Sequence, residues 1–352
     1  MAERRVTIRD VARHAGVSTG TVSAVINDRP TVREPTRRRV LEVIDRLGYT
    51  PMAAARSLGS TIFDPPGIDP GVGFVVKEMD NPFYAEVVIG ATEAFDQAGY
   101  MTFVSSSGGD FSKEGELIET FRHRQMKGVI VAPVLHERVD LSHLFLLRRS
   151  GFPFTLLEHV QGLHAYVVSI DNVQASQTAA AHLIGLGHRR IVHLAGPSYT
   201  QHTRDRISGV ERAYSQSPLQ FSSECIVPAG AHFQDGYDAA LKIFSKPSDE
   251  RPTAVTCFND VVAMGVLRAV TELGLSVPED VSVVGFDDIP AAAYLSVPLT
   301  TVGAPKRHIG RLAAELLIRQ MKGEHDEVEA RHTVVEATLI ERGSTRRLGG
   351  SF

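Results

Sequence analysis

The chain has 352 residues, 43% hydrophobic and 22% charged, too long for one ordinary core and typical of a soluble globular protein of two or three domains. Its two cysteines, Cys225 and Cys257, exclude a disulfide framework and a cysteine-based zinc site; they read as buried thiols. The net charge of −4 is unevenly spread: the first sixty residues hold eleven arginines, no lysine and six carboxylates, a net +5, which leaves −9 for the remainder. A small basic head on a large acidic body assigns a polyanion to the head and a separate task to the body. No run approaches the ~18 apolar residues of a spanning helix, and the charged start lacks the apolar stretch of a secretory signal, so no membrane association and a cytoplasmic location are expected.

Thr7-Ile-Arg-Asp10 is the acidic variant of a capping box. Ile8, Val11 and Ala12 follow at helical spacing, and Gly16 ends that helix in a sharp turn. Ser18 caps a second helix, Thr19 to about Ile26. Val22, Val25 and Ile26 form its apolar stripe, and Thr19, Gly20, Ser23, Ala24 and Asn27 lie opposite. A third helix from about Pro35 turns Val40, Ile44 and Leu47 inward and Arg37, Arg38, Arg39 and Arg46 mostly outward, until Gly48 stops it. Cap, turn glycine, second cap and basic third helix fall at helix-turn-helix spacing, the unit that lays its second helix in the DNA major groove. A plain three-helix domain with a solvated arginine face is the competing reading, and the spacing weighs against it.

Thr50-Pro-Met-Ala-Ala-Ala-Arg-Ser-Leu58 combines an N-cap, a proline at the first helical position and three alanines, with Gly59 as a stop. Such a segment is well below the ~12–15 residues of a stable isolated helix, so it needs external support. Residues 60–70 follow as an acidic, proline-rich linker, extended and fairly stiff.

Beyond Gly71, short apolar runs alternate with amphipathic helices. Strands are predicted at Val72–Val76, Met101–Ser105, Gly128–Ala132, Phe154–Leu157, Tyr166–Ile170, Ile191–Ala195, Thr253–Cys257 and Val281–Gly285. Helices are predicted at about 83–98, 113–126, 173–186, 204–216, 234–245, 260–273 and 306–322. The alternation implies an α/β fold of doubly wound parallel sheets, long enough for two lobes with a ligand cleft at the strand carboxyl ends. An enzymatic reading lacks a site: Gly71-Val-Gly73 is two-thirds of a dinucleotide fingerprint, and no nucleophile elbow or P-loop is present. His182, His188 and His193 are too loosely spaced for a helix-borne metal site and read as structural, so neither metal nor cofactor is expected.

The motifs Thr7-Ile-Arg-Asp-Val-Ala-Arg-His-Ala-Gly-Val-Ser18, Thr21-Val-Ser23, Val25-Ile-Asn27, Leu47-Gly-Tyr49 and Ala55-Arg-Ser-Leu58 resemble the head of the LacI/GalR (lactose-repressor) family of bacterial transcription regulators. Asn81-Pro-Phe-Tyr84, Ser169-Ile-Asp-Asn172, Arg206-Ile-Ser-Gly209, Asn259-Asp260, Gly285-Phe-Asp-Asp288 and Pro298-Leu-Thr-Thr-Val302 resemble that family's periplasmic-binding-protein-like (type I) core, so the likeness spans nearly the whole chain.

The resemblance implies a head at 1–50, a hinge helix at 51–59 and a linker at 60–70. It implies an effector-binding and dimerisation core at 71–343, with an N-lobe of 71–171 plus 303–328, a C-lobe of 172–302 plus 329–343, and a tail at 344–352. It further implies a homodimer on a near-palindromic double-stranded operator, more often as a repressor. Thr19, Gly20 and Ala24 match residues facing base edges; all are small, so direct base readout is expected to be weak. Ser18, Thr21, Ser23 and Asn27, with Thr7 and Tyr49, are expected on the DNA as positioning contacts. Ala55, Arg56 and Leu58 match the minor-groove hinge, Leu58 as the wedge between base pairs.

For the effector, Arg206, Asp287 and Asn259 match ligand-binding positions, Phe83 and Tyr84 lie where a helix start faces the cleft, and Glu158 and Asp171 are further candidates. An arginine, carboxylates and an amide among aromatic walls suit a sugar or sugar derivative. A purine-like metabolite remains open as effector. A transport-type solute-binding protein is the alternative from another class, disfavoured by the basic head. Two departures from the family pattern stand out: the long linker, and Ala231 where an aromatic is common.

Overall fold

The computed structural model describes residues 7–26, 32–47, 71–135, 140–324 and 332–348. It divides into two compact units, 1–68 and 69–352.

The first unit contains α1 (Ile8–Ala15), α2 (Thr19–Ile26) and α3 (Glu34–Leu47). Asp10 reaches back to the start of α1, accepting from Thr7 N and Thr7 Oγ1 at 3.0 and 2.6 Å. Gly16 closes the helix at φ 65°, the left-handed conformation that a glycine adopts without steric cost. Ser18 Oγ accepts from Thr21 N at 3.1 Å and so caps α2. Val11, Val22, Val25, Val40 and Val43 are buried at the centre. The apolar stripe of α3 is thus centred on Val40 and Val43. Arg38 faces outward, whereas Arg37 is largely covered and pairs with Glu34 at 3.8 Å.

The second unit holds two six-stranded sheets. The first lobe contains β1 (Gly71–Val76), β2 (Met101–Ser106), β3 (Val129–Val131), β4 (Phe154–Leu156), β5 (Tyr166–Ile170) and β11 (His332–Val335), in the order β11-β5-β4-β3-β1-β2, with every pairing parallel. The second contains β6 (Ile191–Ala195), β7 (Ile226–Pro228), β8 (Ala254–Cys257), β9 (Ser282–Phe286), β10 (Thr300–Gly303) and β12 (Thr338–Ile340), in the order β12-β10-β9-β8-β6-β7, with β12 alone antiparallel. Central strands such as β1 and β9 are buried runs because helices cover both faces.

The predicted helices are present as α4 (Pro82–Gln97), α5 (Phe111–His123), α7 (Asn172–Gly185), α8 (Gln201–Ser215), α9 (Phe233–Phe244), α10 (Asp260–Glu272) and α11 (Lys306–Met321); a further helix, α6 (Ser142–Arg149), was not predicted. Among the N-caps that begin helices after sheet strands, Asn81, Asp171, Thr200 and Asn259 bond their own first turns. They bring the first turns of α4, α7, α8 and α10 to the carboxyl ends of the strands. Three helix pairs close at glycines, α4 with α11, α7 with α8, and α9 with α10.

The lobe boundaries differ from the expected ones in one place. Residues 332–335 pair with β5 in the first sheet, so the last crossing follows Val335 instead of 328. The segment after 343 is no free tail through Leu348: Ser344 Oγ donates to Val283 O and accepts from Thr300 N, and Leu348 N donates to Leu186 O.

Candidate functional site

On the three-helix unit, packing of Val22 and Val25 inward leaves Ser18, Thr19 and Gly20 exposed and Thr21, Ser23 and Ala24 half-buried. The exposed face of α2 therefore offers hydroxyls, a bare backbone and a methyl, with no amide or guanidinium. Thr7 is exposed at the start of α1. Asn27, Tyr49, Ala55, Arg56 and Leu58 lie outside the described residues.

The second unit encloses a cavity of about 160 Å³ between its two lobes. Its first-lobe wall comes from the end of β1 (Lys77), the first turn of α4 (Phe83, Tyr84) and the loop after β4 (Glu158). Pro82 at the first helical position starts α4 so that Phe83 and Tyr84 stand beside the strand ends, edge to face with centroids 5.4 Å apart. Burial, with Glu158 nearby, pushes the Tyr84 phenol well above its ordinary range. The second-lobe wall comes from α7 (Asn172), α8 (His202, Arg206), Phe258 and Asn259 after β8, and Asp287 after β9.

Arg206 is buried and held on every side. Its Nε donates to Asn172 Oδ1 at 3.0 Å, its Nη1 donates to the Phe258 carbonyl, and its Nη2 lies 3.8 Å from Asp287 Oδ1. The guanidinium is flanked by the rings of Phe258 and Phe286, 4.6 and 3.6 Å from their centroids. Burial lowers its pKa, and the carboxylates of Asp287 and Glu158 oppose that.

Asp287 and Asp288 both adopt positive φ, 106° and 52°. Lys306 at the start of α11 donates to both of their carbonyls at 2.7 and 2.6 Å, bridging the lobes and holding this rare backbone. The Asp287 carboxyl is raised by burial against the pull of Arg206 and Lys306. Behind it, Asp260 accepts from Thr301 Oγ1 and Ile289 N at 2.6 and 2.8 Å. Burial and then the charge of Asp287 push Asp260 up to about 7.

Glu158 Oε1 accepts from Lys77 Nζ at 2.7 Å and lies 2.7 Å from His202 Nε2. Burial alone would raise this carboxyl, but His202 and Lys77 outweigh it and hold it at about 2. Glu158 is therefore a carboxylate with one partner in its own lobe and one across the mouth of the lobes.

Of the seven effector candidates, Phe83, Tyr84, Glu158, Arg206, Asn259 and Asp287 line the one cavity and Asp171 does not. Asp171 is exposed and accepts from Gln174 N as a helix cap. Asn259 reaches the wall with its amide already used, accepting from Val262 N and donating to the Ala231 carbonyl. Sequence reasoning missed Lys77, Asn172 and His202. Lys77 had a signal, since it follows directly on the apolar run of a central parallel strand.

The histidines weighed as metal ligands are structural. His182 meets Thr345, His188 meets Thr253 and the Arg346 carbonyl, and His193 meets Thr256. Burial and Arg206 hold His193 at about 3, so it is neutral. Among the described residues no group of three or more His, Cys, Asp or Glu is placed to hold a metal ion, and no helix is long and apolar enough to cross a membrane. Cys225 and Cys257 are free thiols; Cys257 is buried, whereas Cys225 is half-buried.

Residues 7–52 match the family model for bacterial regulatory proteins of the lacI family, and residues 180–345 match that for a periplasmic binding protein-like domain. The chain is 35% identical over 322 residues to the HTH-type transcriptional repressor PurR of Aliivibrio fischeri (strain MJ11), covering 91% of this chain and 93% of that protein. Among solved structures, the transcriptional regulator CelR–cellobiose complex is similar at 29% identity and a TM-score of 0.69, covering 97% of this chain and all of that one. The lac repressor dimer bound to operator and the anti-inducer ONPF shares the fold at 24% identity and a TM-score of 0.70, with 97% of this chain covered and all of that one.

Proposed function

The chain belongs to the lacI family of bacterial regulatory proteins, DNA-binding transcriptional regulators, and from that premise we propose that it is a homodimeric repressor whose effector is a small neutral sugar or sugar derivative. The head docks half of a near-palindromic operator through Thr7, Ser18, Thr21 and Ser23, with Asn27 and Tyr49. Its recognition helix reads bases weakly through Thr19, Gly20 and Ala24. The hinge, with Ala55, Arg56 and Leu58, enters the minor groove and contributes specificity through DNA deformation.

The observation that carries the effector reading is Arg206 beside Asp287 in one cavity. A hydroxyl both donates and accepts, so neighbouring hydroxyls satisfy the guanidinium and the carboxylate together. A charged ligand gains less, because Arg206, Lys77 and Lys306 already have carboxylate or carbonyl partners. The volume of about 160 Å³ is below the ~300–1,000 Å³ common for ligand sites, which favours a single ring. Phe83, Tyr84 and Phe258 offer apolar faces to the C–H side of a sugar ring. The cellobiose of the CelR complex supports a carbohydrate ligand here. A planar purine base is the second reading, favoured by the same aromatic lining.

Ligand binding that differs between open and closed lobes shifts the dimer toward or away from operator binding. A calorimetric screen of monosaccharides, cellobiose and purine bases against the full chain tests the proposal. A sugar is expected to bind, and Arg206→Ala and Asp287→Ala each to weaken it by about a hundredfold. A ligand that binds both variants normally would place the effector elsewhere, and a purine that binds where sugars do not would establish the second reading.

A further inference from the structure

The polar groups around the cavity form one chain that runs from lobe to lobe. Lys77 and Glu158 belong to the first lobe; His202, Asn172 and Arg206 belong to the second. Its direction is fixed from one end. A guanidinium N–H only donates, and Arg206 Nε donates to Asn172 Oδ1 at 3.0 Å. The other end of that amide, Nδ2, is then also a donor, and it lies 3.3 Å from His202 Nδ1. Nδ1 must therefore accept, so the imidazole proton sits on Nε2, which donates across the cleft to Glu158 Oε1 at 2.7 Å. Among the neutral tautomers only this one satisfies every link.

We propose that His202 is a proton-sensitive positioning residue of this cavity, whose Nε2–H tautomer ties Glu158 of one lobe to Arg206 of the other through Asn172. A second proton, on Nδ1, sets two donors against each other. Rotating the Asn172 amide relieves that opposition but turns Nδ2 toward Arg206 Nε–H. Unrotated, the Asn172–His202 link breaks; rotated, Asn172 Oδ1 accepts from the imidazolium and it is Arg206 that loses the partner holding its Nε. The titratable and charged groups around His202 are Glu158 and His159 after β4, Lys77 and Glu78 after β1, Asp287 after β9, the phenols of Tyr84 and Tyr199, and Arg204, Asp205 and Arg206 on its own helix. In the rotated arrangement acid thus loosens the guanidinium that grips the ligand, while the link from His202 Nε2 to Glu158 across the lobes is retained. The consequence for effector affinity rests on the proposed function above; the hydrogen-bond relay itself does not.

The test uses the full chain labelled with ¹⁵N-histidine and ¹⁵N-arginine, with no ligand added. At about pH 8 His202 is expected to carry its proton on Nε2 alone, and Arg206 Nε–H to exchange slowly with solvent. At about pH 5.5 that exchange is expected to speed up at least about tenfold beyond the intrinsic pH dependence of a free guanidinium, the loss of one hydrogen bond. His202→Gln, which keeps a donor and an acceptor but cannot titrate, retains slow exchange at both pH values. His202→Ala loses it at both, while a circular dichroism spectrum like that of the wild type shows that it is folded. Should His202→Ala fail to fold, wild type against His202→Gln decides alone. A proton on Nδ1 at the higher pH, or Arg206 exchange indifferent to acid and to His202→Ala, would overturn the proposal. If no sugar binds, the effector reading falls while this outcome stands.

Discussion

Gly310 of α11 and Gly90 of α4 lie where the two helices meet backbone to backbone: a Cβ on Gly310 would sit 1.9 Å from the Val87 carbonyl oxygen, and one on Gly90 2.0 Å from that of Arg307. No side chain fits such a contact, so the first lobe is set by two absent methyl groups.

Gly310→Ala should accordingly force α11 off α4 and destabilise the second unit by at least about 1–3 kcal/mol, the cost of overpacking. Gly185→Ala is the control. It is helical, without a positive φ, and nothing lies within 4 Å of its Cβ position, so it should be neutral or stabilising by up to about 1 kcal/mol. Urea melts of the two variants make the comparison.

Arg206 and Asp287 should show strong coupling. Removing either leaves the other charge buried and less well paired, which costs about 3–5 kcal/mol in such sites. The double variant Arg206→Met with Asp287→Asn should lose clearly less than the sum of the two single changes. Simple additivity in denaturation experiments would mean that the pair is not an energetic unit.

Two buried carboxyls should act on stability in opposite directions with pH. Asp260 is raised from an ordinary value of 3.8 to about 7. Its contribution is full below its unfolded value and is lost as the pH rises through about 7, so Asp260→Asn should flatten the fall in melting temperature between about pH 4 and 7. Glu158 is lowered from 4.5 to about 2. Its contribution, on the order of 3 kcal/mol, is present above its unfolded value and lost as the pH falls toward 2, and Glu158→Gln should remove that acid-side slope.

The face of α2 predicts weak base reading. Thr19→Ala should change discrimination between operator variants by less than about 1 kcal/mol, below the ~1–3 kcal/mol of a bidentate contact. Competition binding on variant operators checks this; loss of specific binding with nonspecific binding intact would assign direct readout to Thr19.

The legibility of this molecule in its sequence follows physical lines. Long periodic segments gave their helices to within a few residues, because the 3.6-residue apolar period persists over several turns. The short strands β7, β10, β11 and β12 were missed, although β3, β4 and β8, equally short, were predicted. β7 ends in a proline, β11 alternates polar residues at a sheet edge, and neither carries a period long enough to read. The eight-residue α6 was lost for the same reason. Motif spacing brought Arg206, Asp287 and Glu158 to one cavity. It could not reveal that Glu158 is paired with Lys77 and His202, since those partners come from 81 and 44 positions away on other elements. Asp171 and Asn259 read as ligand groups because a cap and a ligand carboxamide or carboxylate look alike until the first helical turn is built.

The central claim is that a neutral polyol in the cavity controls the head. Operator binding by the full chain, measured by fluorescence anisotropy on a duplex selected by the protein from a random pool, with and without the sugar found in the calorimetric screen, tests it most directly. The account predicts that the sugar shifts operator affinity by at least about fivefold, the lower end of ordinary coupling, and that Arg206→Ala and Asp287→Ala abolish the shift while still binding the duplex. An unchanged affinity with the sugar bound, or an undiminished shift in both variants, would contradict it.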